Sequence, residues 1–231
     1  MDDNAMGARK SSLSELVRRR SRPLLARPFA ERRQELERVL AGEHPGLAVT
    51  PCTRDLAVAR RWFSRRQLSI DGVIAKRVDL PYRPGERALR KVKCLRSADC
   101  VVGGFRYGSG TRCVGSLLLG LYDDAGLLHH VGFTSAIAAA AKPALTTCLQ
   151  KLIAPPGFTG SAPGVPSRWS TARSVEWMPL RPKLVVEVRY DHMSGGRFRH
   201  GTKLLRWRPD KSPRQCTFAQ LPQPGPATFS L

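Results

Sequence analysis

Apolar residues recur at two different periods along this chain, and the change of period divides it. Between positions 28 and 40 the apolar residues Leu36, Val39 and Leu40 fall at helical spacing with charges on the other face. That pattern predicts a helix opening at Pro28-Phe29-Ala30 and stopped by Gly42 and Pro45. A second helix is predicted from a Thr53 cap through Phe63, with Asp55 in its first turn. Ile70 to Val78 reads as a strand with a glycine near its start. Beyond it the pattern is mostly strand: Ala88–Cys94, Ala98–Tyr107, Cys113–Tyr122 and Leu127–Phe133, separated by turn signals such as Gly108-Ser109-Gly110 and Asp123-Asp124-Ala125-Gly126. Thr134 or Ser135 is the expected cap of an Ala-rich helix from about Ala136 to Leu152, kinked or divided at Pro143. A Pro-, Gly- and Ser-rich loop over Pro155–Ser170 precedes two more strands, Lys183–Tyr190 and Lys203–Arg208, arranged around Ser194-Gly195-Gly196. Three strands, a helix and two strands are the element order of an OB barrel, a small Greek-key barrel, although SH3-like and other small barrels compete on pattern alone.

Composition adds charge to this outline. The 231 residues carry 39 Lys and Arg against 18 Asp and Glu, a formal net charge of +21. Such an excess points to a polyanionic partner, because neutralising phosphates releases condensed counterions. A solvated basic surface without a partner, or biased codon usage, would give the same count. The six cysteines form no CxxC pair and no Cys/His cluster has zinc-finger spacing. His129 and His130 are adjacent, so on a strand they face opposite sides and do not share a metal. Scattered thiols, no signal-peptide run in residues 1–30 and no stretch of roughly 20 apolar residues lead to the expectation of a cytoplasmic protein.

Three charged constellations carry candidate chemistry. In Asp71-Gly72-Val73-Ile74-Ala75-Lys76 the carboxylate suits Mg²⁺, the glycine lets backbone approach a ligand, and Lys76 offers charge to a phosphate. A capped strand with an exposed lysine would look the same. Lys91 and Lys93 sit at i and i+2 of a strand, so their ammonium groups point together, with Val92 expected buried behind them. An anion between them relieves their repulsion, yet lysines also guard sheet edges. In Arg206-Trp207-Arg208-Pro209-Asp210-Lys211 two arginines share a face, able to grip phosphate bidentately, with Asp210 placed to hold one of them or to help at the leaving group. A strand-end salt-bridge cluster is the simpler alternative.

Taken in order, the strings DGVIAKR (71–77), PYRPGERALRKVK (81–93), SADCVVGGFRYG (97–108) and GRFRHGTKLLRWRPDK (196–211) resemble the small bacterial ATP-dependent DNA ligases, from about Pro23 to Leu221. The resemblance implies an α+β chain: residues 1–22 a disordered basic N-terminus, 23–95 the C-terminal remnant of a nucleotidyltransferase (adenylation) domain, 96–221 a five-stranded OB-fold barrel, and 222–231 a flexible tail. It implies ATP and Mg²⁺ as cofactors and nicked double-stranded DNA as substrate, sealed through enzyme–AMP and DNA–adenylate intermediates in repair and recombination. Asp71 is then the carboxylate near metal and nucleotide, and Lys91 and Lys93 hold the α-phosphate. Arg206, Asp210 and Lys211 reach the β- and γ-phosphates, with Lys76 and Arg208 as further phosphate contacts. The OB domain is implied to swing, with its hinge between Lys93 and Ala98.

Two departures stand out. Asp71 occupies a position where many relatives carry glutamate. The family's AMP-accepting lysine lies in a KxDGxR motif, and no such string occurs in these 231 residues. The chain by itself is therefore expected not to form a lysine–AMP adduct, and a separate polypeptide carrying the nucleophile domain becomes a further expected partner. Three readings follow from the sequence: a ligase by descent, truncated or split; a non-catalytic OB-fold DNA-binding module; or a non-functional fragment.

Overall fold

The computed structural model describes residues 11–19, 22–42, 44–64, 72–164 and 176–221, with backbone alone at 11, 12, 63 and 64. Asp71 and the tail from 222 lie outside the described residues. The chain divides into two compact units between Lys93 and Cys94.

The first unit holds short strands β1 (Ser11–Leu13), β2 (Arg18–Arg19) and β3 (Arg22–Pro23), helix α1 (Phe29–Val39), β4 (Leu47–Val49), helix α2 (Leu56–Ser64), β5 (Gly72–Lys76) and β6 (Leu89–Lys93). Residues 11–19 were expected to be unstructured. Instead β1 pairs in parallel with β4, and β2 pairs with β3. Glu15, between β1 and β2, is fixed by two cations, and that long-range pairing orders a stretch whose local sequence carries no strong propensity.

Helix α1 buries Phe29, Arg32 and Leu36, while Val39, expected on the inner face, is exposed. Arg32 is tolerated inside because its donors are met: Nε donates to Glu15 Oε2 at 2.8 Å, and Nη1 donates to the carbonyls of Arg27 and Leu80. Its guanidinium also lies 6.0 Å from the Phe29 ring centroid and 5.9 Å from that of Tyr82. At α2 the cap passes from Thr53 to Asp55. Thr53 Oγ1 accepts from the Asp55 amide at 3.0 Å, and Asp55 Oδ1 accepts from the Ala57 amide at 2.7 Å.

Strands β5 and β6 form a two-stranded antiparallel ladder. Gly72 is required there. Its φ is +154°, and a Cβ would sit 2.2 Å from the Val92 carbonyl oxygen. Val92, expected buried, is 47% exposed, because the ladder is only two strands wide among the described residues.

The second unit is built on β7 (Arg96–Tyr107), β8 (Val114–Tyr122), β9 (Leu128–Thr134), helix α3 (Lys142–Gln150), β10 (Met178–Pro179), β11 (Val185–Tyr190), the small hairpin β12 (Met193–Ser194) with β13 (Arg197–Phe198), and β14 (Lys203–Trp207). The hydrogen-bonded order is β14-β11-β7-β8-β9, with β10 added to β7. A parallel bridge between Thr134, at the end of β9, and Thr202, just before β14, closes the ring. Thr134 Oγ1 donates to the Thr202 carbonyl at 3.0 Å, and the Thr202 amide donates to the Phe133 carbonyl at 3.1 Å. Five strands closed in this order, with a helix between the third and fourth, are an OB-fold barrel.

Apolar side chains form the core of this unit. Val101, Phe105, Val114, Leu117, Leu119, Leu121, Val131, Val186 and Val188 are buried to 1% exposure or less. The long strand β7 bends at a register shift between Val102 and Gly104. A Cβ on Gly103 would meet the Phe158 ring at 2.6 Å, so that packing depends on glycine. The predicted Ala-rich helix starts later than expected. A 3₁₀ turn at Ala139–Ala141 leads into α3, with Pro143 in its first turn, where a missing amide hydrogen costs nothing. Neither expected cap serves it, since Thr134 belongs to β9. Thr146 ties the helix to the barrel by donating to the Lys142 carbonyl at 2.6 Å and accepting from the Val114 amide at 2.8 Å.

Candidate active site

The sequence-derived candidates fall in both units. In the first, Lys91 stands opposite Ile74 and Lys93 opposite Gly72 across the β5–β6 ladder. Every residue of β6 is exposed. The two lysines are two positions apart on one strand, so they share a face of the ladder and can reach one anion together. Asp71, proposed to hold metal, lies outside the described residues; its neighbour Gly72 is the residue paired with Lys93.

Lys76 ends β5 in a different setting. Its Nζ lies 2.5 Å from Glu15 Oε1 and 3.1 Å from Ser14 Oγ, with the Phe29 ring centroid at 4.9 Å. The same Glu15 carboxylate faces Arg32 Nη2 at 2.6 Å. Burial alone would raise the Glu15 pKa, but hydrogen bonds from Lys76 and Arg32 outweigh it and hold the carboxyl below its ordinary value. Lys76 thus has an internal counter-ion. The sequence reading missed Glu15 because it lies 61 positions from Lys76.

The second unit carries the denser cluster. Arg206 Nε donates to Glu187 Oε2 at 2.7 Å. Arg208 is held on two sides. Its Nη1 donates to Asp99 Oδ1 at 3.0 Å and to Oδ2 at 3.1 Å, while Nε and Nη2 donate to Asp210 at 2.9 to 3.2 Å. Lys211 Nζ donates to Asp99 Oδ2 at 2.7 Å. The structure therefore brings Arg206, Arg208, Asp210 and Lys211 together, with Asp99 and Glu187 as their unforeseen partners. The hydrogen bond from Arg208 depresses the Asp210 pKa, and the one from Arg206 depresses that of Glu187. Asp210 in turn raises the Arg208 pKa, so the guanidinium stays charged. Behind the cluster, burial raises both the Cys100 and Cys216 pKa values, Cys216 to about 11, so neither thiol is a nucleophile at neutral pH.

His129 and His130 divide as the strand alternation requires. His129 bonds Asp123 and Ser161 at the surface, whereas His130 is buried beside Arg197 and its pKa falls to about 3. Among the described residues no three His, Cys, Asp or Glu side chains converge on a metal position. Nor is any described helix long and apolar enough to cross a membrane.

Residues 110–211, which span most of the barrel and the whole basic cluster except Asp99, match the family of the ATP dependent DNA ligase C terminal region. The chain carries the C-terminal part of an ATP-dependent DNA ligase. It is 49% identical over 214 residues to DNA ligase C2 of Mycolicibacterium smegmatis, covering 86% of this chain and 60% of that protein. It is 44% identical over 216 residues to DNA ligase C of Mycobacterium tuberculosis, with the same coverage of each. The ligase domain of M. tuberculosis LigD aligns over 90% of this chain and 66% of its own length, at 28% identity and a TM-score of 0.48. The chain spans 60% of the length of these two DNA ligase C relatives.

Proposed function

We propose that this chain supplies phosphate-handling groups and a DNA-binding barrel to an ATP-dependent nick-sealing reaction. The observation that carries this reading is the cluster of Arg206, Arg208, Asp210 and Lys211, gathered at one place on an OB barrel of the ligase family. Phosphoryl transfer needs little covalent chemistry from the protein. It needs alignment and positive charge where charge develops on phosphorus and on the leaving group. Arg208 offers a planar fork and Lys211 a point charge, which suit the oxygens of a polyphosphate. In the first unit Lys91 and Lys93 present two ammonium groups on one face, suited to the single phosphate that is transferred. Asp71 would hold Mg²⁺ through oxygen donors, an ion that supplies further charge to the phosphates when bound. The substrate is nicked duplex DNA, the cofactors are ATP and Mg²⁺, the setting is DNA repair or recombination, and the compartment is the cytoplasm.

No KxDGxR string occurs in this sequence, so the AMP-accepting lysine comes from a polypeptide segment outside these 231 residues. The test is nick sealing with a 5′-phosphorylated substrate, ATP and Mg²⁺. The chain alone should seal nothing and take no label from α-labelled ATP on a denaturing gel. Adding a polypeptide that carries a KxDGxR segment should restore sealing. Lys91→Ala or Lys93→Ala should then lower the rate by about a hundredfold or more, since each removes a charge from the phosphoryl group in transit.

The net charge of +21 also favours a second reading, a DNA-binding barrel without catalysis. It predicts no sealing with any added segment, and only modest loss of DNA affinity from either lysine variant. That pattern of results would replace the first reading.

A further inference from the structure

We infer that Asp99, a residue with no part in the sequence-derived site, is the positioning residue of the basic cluster, and that Asp210 is its displaceable arm. The inference rests on the reading that this cluster receives a phosphate tail.

Asp99 is anchored more firmly than any cation it holds. It lies within β7, opposite Glu187 of β11. Gln220 grips its main chain from the other side: the Asp99 amide donates to Gln220 Oε1 at 2.8 Å, and Gln220 Nε2 donates to the Asp99 carbonyl at 3.0 Å. Its carboxylate, 13% exposed, accepts from both Arg208 Nη1 and Lys211 Nζ. One fixed carboxylate thereby sets two cations side by side, although Arg208 lies beyond the end of β14 and Lys211 in the turn that follows. Asp210 differs in kind. Its side chain is 64% exposed and bonds only the outer edge of Arg208.

Counting donors shows what is left for a ligand. Arg208 has five N–H groups and Lys211 three. Asp99 occupies one on each, and Asp210 covers the outer edge of Arg208. A phosphate that displaces Asp210 gains the exposed edge of the guanidinium, plus the remaining ammonium hydrogens of Lys211, while Asp99 keeps both groups aimed. Two opposite roles for Asp99 can be separated by experiment. If it positions the cations, removing it weakens anion binding. If it merely masks them, removing it strengthens binding.

The probe is inorganic tripolyphosphate, titrated calorimetrically into the full chain. Arg208→Ala and Lys211→Ala should each weaken binding by about tenfold or more, as expected for a lost charge-assisted hydrogen bond. If neither does, the cluster does not receive a phosphate tail, and the reading beneath this inference fails. Given that response, Asp99→Asn should weaken binding by about tenfold. In the Arg208→Ala background, Asp99→Asn should cost no more than about twofold further, because Asp99 would act through a group already removed. Asp99→Glu retains the charge and shifts the oxygens by one methylene, so it too should weaken binding while preserving the fold. Unchanged or tighter binding in Asp99→Asn, or full affinity in Asp99→Glu, overturns the positioning role. So does an additive loss in the double variant.

Discussion

At the scale of single residues, Glu15 decides more than any motif in the first unit. It is the shared counter-ion of a buried arginine and of a lysine whose sequence context suggested a phosphate ligand. Removing one partner of such a cluster leaves the others desolvated and unpaired. E15Q should therefore destabilise the packing of α1 by about 3 kcal/mol, read as faster hydrogen exchange of the amides around Arg32 and Leu36. The sign of the pH dependence follows from the direction of the shift. The folded Glu15 pKa lies below its ordinary value of 4.5, so its stabilisation is complete above that value and is lost as the pH falls through the lowered one. Acid should loosen α1 in the wild type, and E15Q should lack that component of the response. A flat wild-type profile through this range would refute the assignment. None of this could be read from the sequence, because Glu15 meets Arg32 and Lys76 across 17 and 61 positions.

Among elements, the β5–β6 ladder is where local sequence and candidate chemistry coincide. The strand pattern around Lys91 and Lys93 was legible because successive residues alternate by geometry alone. What it could not show is that Gly72 lies against the backbone of Val92. Gly72→Ala combines a disfavoured positive φ with a clash against main chain that cannot swing aside. It should cost about 2 kcal/mol or more and abolish slow exchange of the β6 amides while leaving those of β7 and β8 unchanged. Retained protection in β6 would show that the ladder tolerates a Cβ. The barrel strands were equally legible, since the apolar stretches that became β7, β8 and β9 are bounded by turn signals in the sequence. The helix before the fourth strand was misplaced at its start. Alanine-rich sequence favours helix over the whole of 136–141, but Thr134 is claimed by Thr202, and Pro143 settles into the first turn instead of the middle.

For the molecule as a whole, charge dominates. With a formal +21 spread over 231 residues, the proposed contact with DNA would be driven largely by counterion release. Affinity for a nicked duplex should fall by about a thousandfold between 50 and 200 mM salt if some six phosphates are neutralised. A nearly flat salt response would mean that the excess charge faces no nucleic acid. The same charge gives no clue to which cations act together. Arg206, Arg208 and Lys211 are neighbours in the sequence, and their grouping was anticipated. Asp99 is 109 positions from Arg208, and nothing in SADCVV distinguishes a surface aspartate from the anchor of two cations.

Local pattern therefore determined where the long barrel strands lie and which short runs gather the charged residues of the candidate site. Those properties depend on residues within a few positions of one another. Closure of the barrel at Thr134 and Thr202, burial of Arg32 against Glu15, and the pairing of Arg208 and Lys211 with Asp99 were settled by the fold alone. Each joins groups far apart along the chain, and a desolvated charge finds its partner only once the backbone has brought the two within hydrogen-bonding distance.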